Sequence, residues 1–258
     1  MPCSLWFRVH LGKCADKMVD QGIHILAIGV HPDDVELSCG GTVIKHIELG
    51  YRVGMLDLTR GELGTRGNAE LRLKEAEDAR ALVGAEFREN LSLEDGFFVN
   101  DKESKIALIK RIRHHRPKIV LANSITDRHP DHGRAAKFVS EACYLSGLAK
   151  IETEVDGVLQ EKWRPDQVYH YIQDHHIKPD LVIDISGYLE RKFEMIACFK
   201  SQFYDPNSEE DNTPISSKEF LDMLEGRAVD FGRRIGVVHG EGFTSDKYVG
   251  AAHFFDLI

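Results

Sequence analysis

What most constrains the fold is a repeated change of period along the chain. "IHILAIGV", "RVGMLDLT" and "KIVLANS" are short, largely apolar runs of strand length. Between them, "GGTVIKHIELG" places Val43, Ile44 and Ile47 on one helical face and stops at Gly50. "AELRLKEAEDARALVGA" does the same with Leu71, Ala76, Ala79 and Leu82/Val83, again ending in a glycine. "RENLSL" reads as a short strand, and "ESKIALIKRIRHH" and "GRAAKFVSEACYLSGL" read as helices. Further on, "QVYHYI" and "LVIDIS" read as strands, and "GYLERKFEMIACFKSQ" and "KEFLDMLEGRAVDFGRRIG" as helices. This β-α-β-α rhythm predicts an α/β, Rossmann-like three-layer fold, with a mostly parallel sheet and helices on both faces. No linker interrupts it, so residues 18–258 are expected to form a single domain. Residues 205–217, "DPNSEEDNTPISS", read as a loop inserted between two helices. Residues 1–17 have a broken apolar patch and no small-residue cleavage site, and are expected to be either a disordered tail outside the fold or an over-long start-site assignment.

In an open α/β sheet, ligands bind beyond the carboxyl ends of the strands, where strand order reverses. The first strand is followed by His31-Pro-Asp-Asp34, and "KIVLANS" is followed by "ITDRHPDHGR". These two stretches lie about 100 residues apart, yet each ends a strand of the same sheet. Together they supply His31, Asp33, Asp34, His129, Asp131 and His132. A divalent metal bound by two imidazoles and one carboxylate, with positions left open for water and substrate, needs three of these six. A single His-Pro-Asp is ordinarily just a turn, since Pro and Asp favour turns on their own. A matched pair at two strand ends argues for more.

Composition narrows the partners. The formal charge is −9, from 33 basic and 42 acidic residues, which speaks against a nucleic-acid ligand. The one basic cluster, "KRIRHHRPK", carries Ile109 and Ile112 at helical spacing and reads as the polar face and end of a helix. His114 and His115 belong to that solvated end. The cysteines (Cys3, Cys14, Cys39, Cys143, Cys198) form neither a zinc pattern nor a disulfide framework, which fits a reducing cytoplasm. Cys39 reads as a small packed residue. No apolar run approaches the roughly 20 residues of a membrane span.

With "VHPDDVE" and "RHPDHGRA" in view, the chain resembles the LmbE/PIG-L superfamily of metal-dependent N-acetylglucosaminide deacetylases, from about Ile23 to the C-terminus. "CGGT", "DLTRGELGTRG", "ELRLKEA" and "KPDLVIDISGYLERKFEMIACFKSQF" add to the likeness. Within the superfamily, the combination is most similar to the branch that deacetylates N-acetylglucosaminyl-malate in bacillithiol biosynthesis. The resemblance implies His31, Asp34 and His132 as ligands of Zn2+, with Fe2+ also suited to them. It implies Asp33 as general base, His129 as an electrophilic histidine and Asp131 as its orienting carboxylate. Arg72 matches an arginine on the sugar side of the substrate, and Asp95 a carboxylate for a sugar hydroxyl. Asp127 stands where some relatives have a tyrosine that helps hold the oxyanion, so that role falls to another residue, with Tyr171 or His175 as candidates. The resemblance also implies a small amino-sugar glycoside as substrate and a trimer- or hexamer-based homo-oligomer, while the acidic charge and the lack of a long apolar run lead to the expectation of no nucleic-acid or membrane partner.

Arg128, next to the second motif, is expected either to grip a carboxylate such as malate or to pair with Asp127. Arg60 and Arg66, in "TRGELGTRG", are expected to add to an anion-attracting pocket with Arg72. His175 and His176 are possible site residues, whereas His239 reads as structural. Other conjugates (inositol, lipid, chito-oligosaccharide) and a non-catalytic sugar-binding relative are the alternatives. A non-haem iron oxygenase fits the ligand set but not the α/β pattern, and gives Asp33 no task.

Overall fold

The computed structural model describes residues 22–206 and 209–256. Its elements run β1 (Ile25–Gly29), α1 (Asp34–Glu48), β2 (Val53–Thr59), α2 (Ala69–Val83), β3 (Arg88–Leu93), α3 (Lys102–His115), β4 (Ile119–Ala122) and α4 (Pro130–Ser146). They continue with β5 (Glu154–Val155), β6 (Val158–Leu159), β7 (Gln167–Tyr171), β8 (Leu181–Asp184), α5 (Leu189–Ile196), α6 (Lys218–Ile235), β9 (Gly240–Ser245) and a 3-10 turn at Phe254–Asp256. The sheet order is β3-β2-β1-β4-β7-β9-β8. The β3 to β7 portion is parallel, and β9 runs antiparallel to both β7 and β8.

Alternation along β1 divides the core. Ile25 and Ala27 face a layer with α1, α2 and α5, including Val43, Ala76, Ala79, Met195 and Phe199. Leu26 and Ile28 face α3 and α4 through Leu108, Ile109, Ile112, Phe138 and Val139. Both faces of β1 are covered, which is why its sequence is continuously apolar. Each fully buried Leu, Ile or Phe of these layers contributes about 1.5–3 kcal/mol relative to exposure.

Helix ends follow their sequence signals. Asn68, Asp101 and Ser217 cap α2, α3 and α6 through their side chains, and α2 and α6 end at the left-handed glycines Gly84 and Gly236. The chain departs from expectation in five places. Helix α1 starts at Asp34 rather than Gly40, because the first motif is itself the helix entry. On α2, Leu71 and Leu82 are exposed, while Arg72 and Glu75 take buried positions that their hydrogen bonds justify. Helix α5 stops at Ile196. Strand β9 and the β5–β6 hairpin were not visible as strands, since "GEGFTS" and "TEVDGVLQ" carry turn-forming residues. The expectation for residues 1–17 lies outside the described residues. Among the described residues, no helix is long and apolar enough to cross a membrane.

Candidate metal centre and active site

The strand order reverses at β1, which lies between β2 and β4, and the two motif turns leave β1 and β4 at that switch point. The first turn is tight. A Cβ on Gly29 would sit 2.9 Å from the His31 carbonyl oxygen and 3.0 Å from the Asp34 Cβ. Asp33 follows with φ 125°, a left-handed backbone in a non-glycine residue, and serves as the N-cap position of α1. The second turn makes His129 the N-cap of α4: its Nδ1 accepts from the Asp131 backbone N–H at 3.3 Å, with Pro130 opening the helix.

The two outer histidines are each held through one ring nitrogen. His31 Nε2 donates to Asp95 Oδ1 at 2.9 Å, and His132 Nδ1 to Asp127 Oδ2 at 2.5 Å. Their other nitrogens turn towards Asp34: His31 Nδ1 lies 3.8 Å from Oδ2, and His132 Nε2 lies 3.2 Å from Oδ1. Asp34 is fixed in turn by the His31 backbone N–H (2.9 Å), Asn123 Nδ2 (2.9 Å) and Gln173 Nε2 (3.0 Å). His129 stacks on His132, and nitrogens of His31, His129 and His132 lie within 4.8 Å of one another. His31, Asp95 and Asp131 form a second convergent group.

The electrostatics suit a cation. Burial opposes charge on His31, but Asp131 and Asp95 outweigh it and lift its pKa to about 10. Burial likewise opposes charge on His132, and Asp34 with Asp127 raises it to about 9. The Asp34 carboxyl is buried, yet His132 and His31 hold it far below the usual carboxylate range. Burial pushes Asp33 the other way, to about 7, against the pull of Arg72. Burial and the neighbouring His31 and His132 rings push His129 below its ordinary value. Its Nδ1 accepts a backbone N–H, so the ring proton of the neutral form sits on Nε2. A donor set that presents two imidazole nitrogens to one carboxylate, with the opposite nitrogens bonded to carboxylates, fits a divalent ion.

His31, Asp33, Asp34, His129 and His132 line a cavity of about 300 Å³, with Leu37, Ser38, Arg72, Arg128, Gln173, Thr213, Ile215, Phe220, Leu224 and Arg227 among its other walls. Several sequence expectations change here. The Asp131 carboxylate takes the Gly96 N–H (2.9 Å) and Arg134 (2.7 Å) and faces His31, so only its backbone orients His129. Asp95 accepts from His31 and the Leu63 N–H, so it holds a histidine of the first motif as well as lining the cavity. Arg72 donates to Asp33 Oδ2 (2.9 Å), the Pro32 carbonyl (2.7 Å) and the Gly61 carbonyl (3.2 Å), so it clamps the first motif as well as lining the cavity. Arg128 pairs with Asp174 at 2.8 Å rather than with Asp127. Arg66 is buried among carbonyls, and neither it nor Arg60 lines the cavity. The Tyr171 hydroxyl donates to the Ile28 carbonyl inside the core, and the His175 backbone N–H donates to Asp127; neither residue lines the cavity. Asn123, Gln173 and Arg227 were missed. Asn123 and Gln173 follow the ends of β4 and β7, so the strand-end rule finds both when it is applied to every strand.

The family profile described as GlcNAc-PI de-N-acetylase matches residues 26–143, a span containing both motif turns. The conserved protein TT1542 from Thermus thermophilus superposes with a TM-score of 0.80 at 31% identity, covering 90% of this chain and 98% of that one. The chain belongs to the PIG-L family. Over 189 residues it is 29% identical to diacetylchitobiose deacetylase of Thermococcus kodakarensis, covering 69% of this chain and 70% of that protein. Over 192 residues it is also 25% identical to 4-oxalmesaconate hydratase of Pseudomonas putida, covering 69% and 73%.

Proposed function

We propose that this PIG-L family member hydrolyses the acetamide of an N-acetylglucosamine conjugate to acetate and a free amine. The observation that carries this reading is the division of labour between adjacent carboxylates. Asp34 faces both histidine nitrogens, whereas Asp33 is turned away onto Arg72 in a left-handed backbone. His31, Asp34 and His132 would hold a divalent ion, Zn2+ or Fe2+. Bound there, it supplies Lewis acidity, lowering the pKa of water towards about 7 and polarising the acyl carbonyl. Asp33 is then the base that takes the proton from the attacking water and returns it to the departing amine. His129, whose Nδ1 is held by the Asp131 N–H, presents Nε2 as the donor to the carbonyl oxygen as negative charge develops.

For the conjugate, two readings have support. The likeness to a diacetylchitobiose deacetylase favours a second sugar ring. N-acetylglucosaminyl-malate is favoured by Arg128, which lines the cavity and uses its Nε on Asp174. The hydratase likeness raises a third reaction, addition of water to a carbon–carbon double bond. The deciding experiment is acetate release by metal-loaded protein from N,N'-diacetylchitobiose and from N-acetylglucosaminyl-malate, beside hydration of 4-oxalmesaconate. Acetate from either glycoside supports the proposal, and turnover of the oxalmesaconate alone overturns it. If the malate conjugate and its dimethyl ester react equally, and Arg128→Ala changes neither, the anionic conjugate is excluded while the deacetylase reading stands.

A further inference from the structure

Helix α1 is broken at Cys39, whose φ of −139° and ψ of 20° are not helical. In an unbroken helix, the Gly41 N–H would donate to the Leu37 carbonyl. Here the Gly41 N–H donates to Glu241 Oε1 at 3.1 Å, and the Leu37 carbonyl accepts from Arg227 Nη2 at 3.2 Å. The Thr42 N–H and hydroxyl donate to Glu241 Oε2 at 2.7 and 2.6 Å. Glu241, from β9, therefore caps the second half of α1 as a side-chain acceptor caps any helix start, with the helix dipole favouring its charge. Lys192 Nζ donates to Oε1 at 2.6 Å, and both members of this ion pair are 3% exposed. The glycines of "CGGT" allow the approach: a Cβ on Gly41 would lie 3.2 Å from Glu241 Oε1 and 2.8 Å from Ile185 Cδ1.

The turn ahead of the break carries Asp34, and Leu37 and Ser38 line the cavity. Arg227 ties that turn to the Gln173 carbonyl as well as to Leu37, and the Gln173 amide holds Asp34. Two supports thus reach the same carboxylate, Glu241 through the helix backbone and Arg227 through Gln173.

We infer that Glu241, with Lys192 and Arg227, is a positioning unit that sets the direction of the Asp34-bearing turn and thereby tunes metal affinity from the far end of the chain. The inference rests on the reading of Asp34 as a ligand. It explains why a buried ion pair persists where apolar residues would usually be as stable.

The test is Zn2+ affinity of purified protein, measured by competition with a chromogenic chelator, alongside the thermal midpoint. The double substitution Lys192→Met/Glu241→Gln removes both charges together, so neither is left stranded, and the single amide oxygen can no longer accept from all three remaining donors, the Gly41 and Thr42 N–H groups and the Thr42 hydroxyl. Affinity is expected to fall about 10- to 100-fold, as for other supports of metal ligands. Arg113→Met, which strips a buried guanidinium between α3 and α4 on the opposite face of the sheet, is expected to lower the thermal midpoint and leave affinity unchanged. Wild-type affinity in the folded double variant overturns the inference, and so does an equal loss in Arg113→Met. Should the double variant not fold, Thr42→Val removes one donor without stranding charge. It is expected to weaken binding less, in the same direction, and unchanged affinity there overturns the inference. A wild-type protein that binds no divalent ion would sink the ligand assignment itself, a result distinct from equal binding by wild type and variant.

Discussion

Asp95 Oδ1 accepts from His31 Nε2 at 2.9 Å, while its second oxygen accepts the Leu63 N–H at 3.0 Å. This keeps the Nε2 proton of His31 on Asp95 and leaves Nδ1 as the nitrogen turned towards Asp34. Asp95→Asn is therefore expected to weaken Zn2+ binding about 10- to 100-fold, with KM little changed once metal is saturating. Raised KM at wild-type metal affinity would return Asp95 to the sugar-binding role that the family resemblance implied.

Asp33 and Asp34 are adjacent in sequence but face different partners, Arg72 and the two histidines. Asp33→Asn should keep its metal and lose about 10²–10⁴ in kcat, the usual loss for a general base. Asp34→Ala should fail to retain metal. Metal analysis of the two purified variants checks both, and full occupancy in Asp34→Ala would remove it from the ligand set.

Chelation should destabilise the folded protein by mass action, because the ligands converge only when β1 and β4 are paired. At 100 times the dissociation constant, a bound ion adds about 2.7 kcal/mol. The thermal midpoint should therefore fall with EDTA and recover on adding Zn2+. An unchanged midpoint would argue that no ion is bound in the native state.

The strand–helix alternation and both motif turns were legible because they are local: periodicity marks β1, β2 and β4, and the clustering of His and Asp marks the turns. What was not legible depends on long-range pairing. Asp95 belongs to His31 only once β3 is placed beside β2, and Gln173 reaches Asp34 only through the β4–β7 pairing. Strand β9 hid behind Gly240 and Gly242, which weaken a strand signal but let α6 approach: a Cβ on Gly242 would lie 2.9 Å from the Phe231 ring. Arg66 looked like an anion-binding residue by type, and its burial overruled that.

Arg66 leads to the last expectation. Its Nε donates to the Asp211 carbonyl at 2.6 Å and its Nη2 to the Glu210 carbonyl at 3.2 Å, while its own carbonyl accepts from Gln202 Nε2. It thereby ties the loop after β2 to the stretch ahead of Thr213, Pro214 and Ile215, which line the cavity. Arg66→Met keeps the buried stem but removes the donors, each charged hydrogen bond contributing about 1.5–3 kcal/mol. The thermal midpoint should fall and KM should rise several-fold. Metal affinity should hold, because none of the metal-facing residues touches Arg66. Steady-state kinetics with saturating metal measure this directly. A lower midpoint with unchanged KM would mean that Arg66 stabilises the fold without shaping the wall of the cavity.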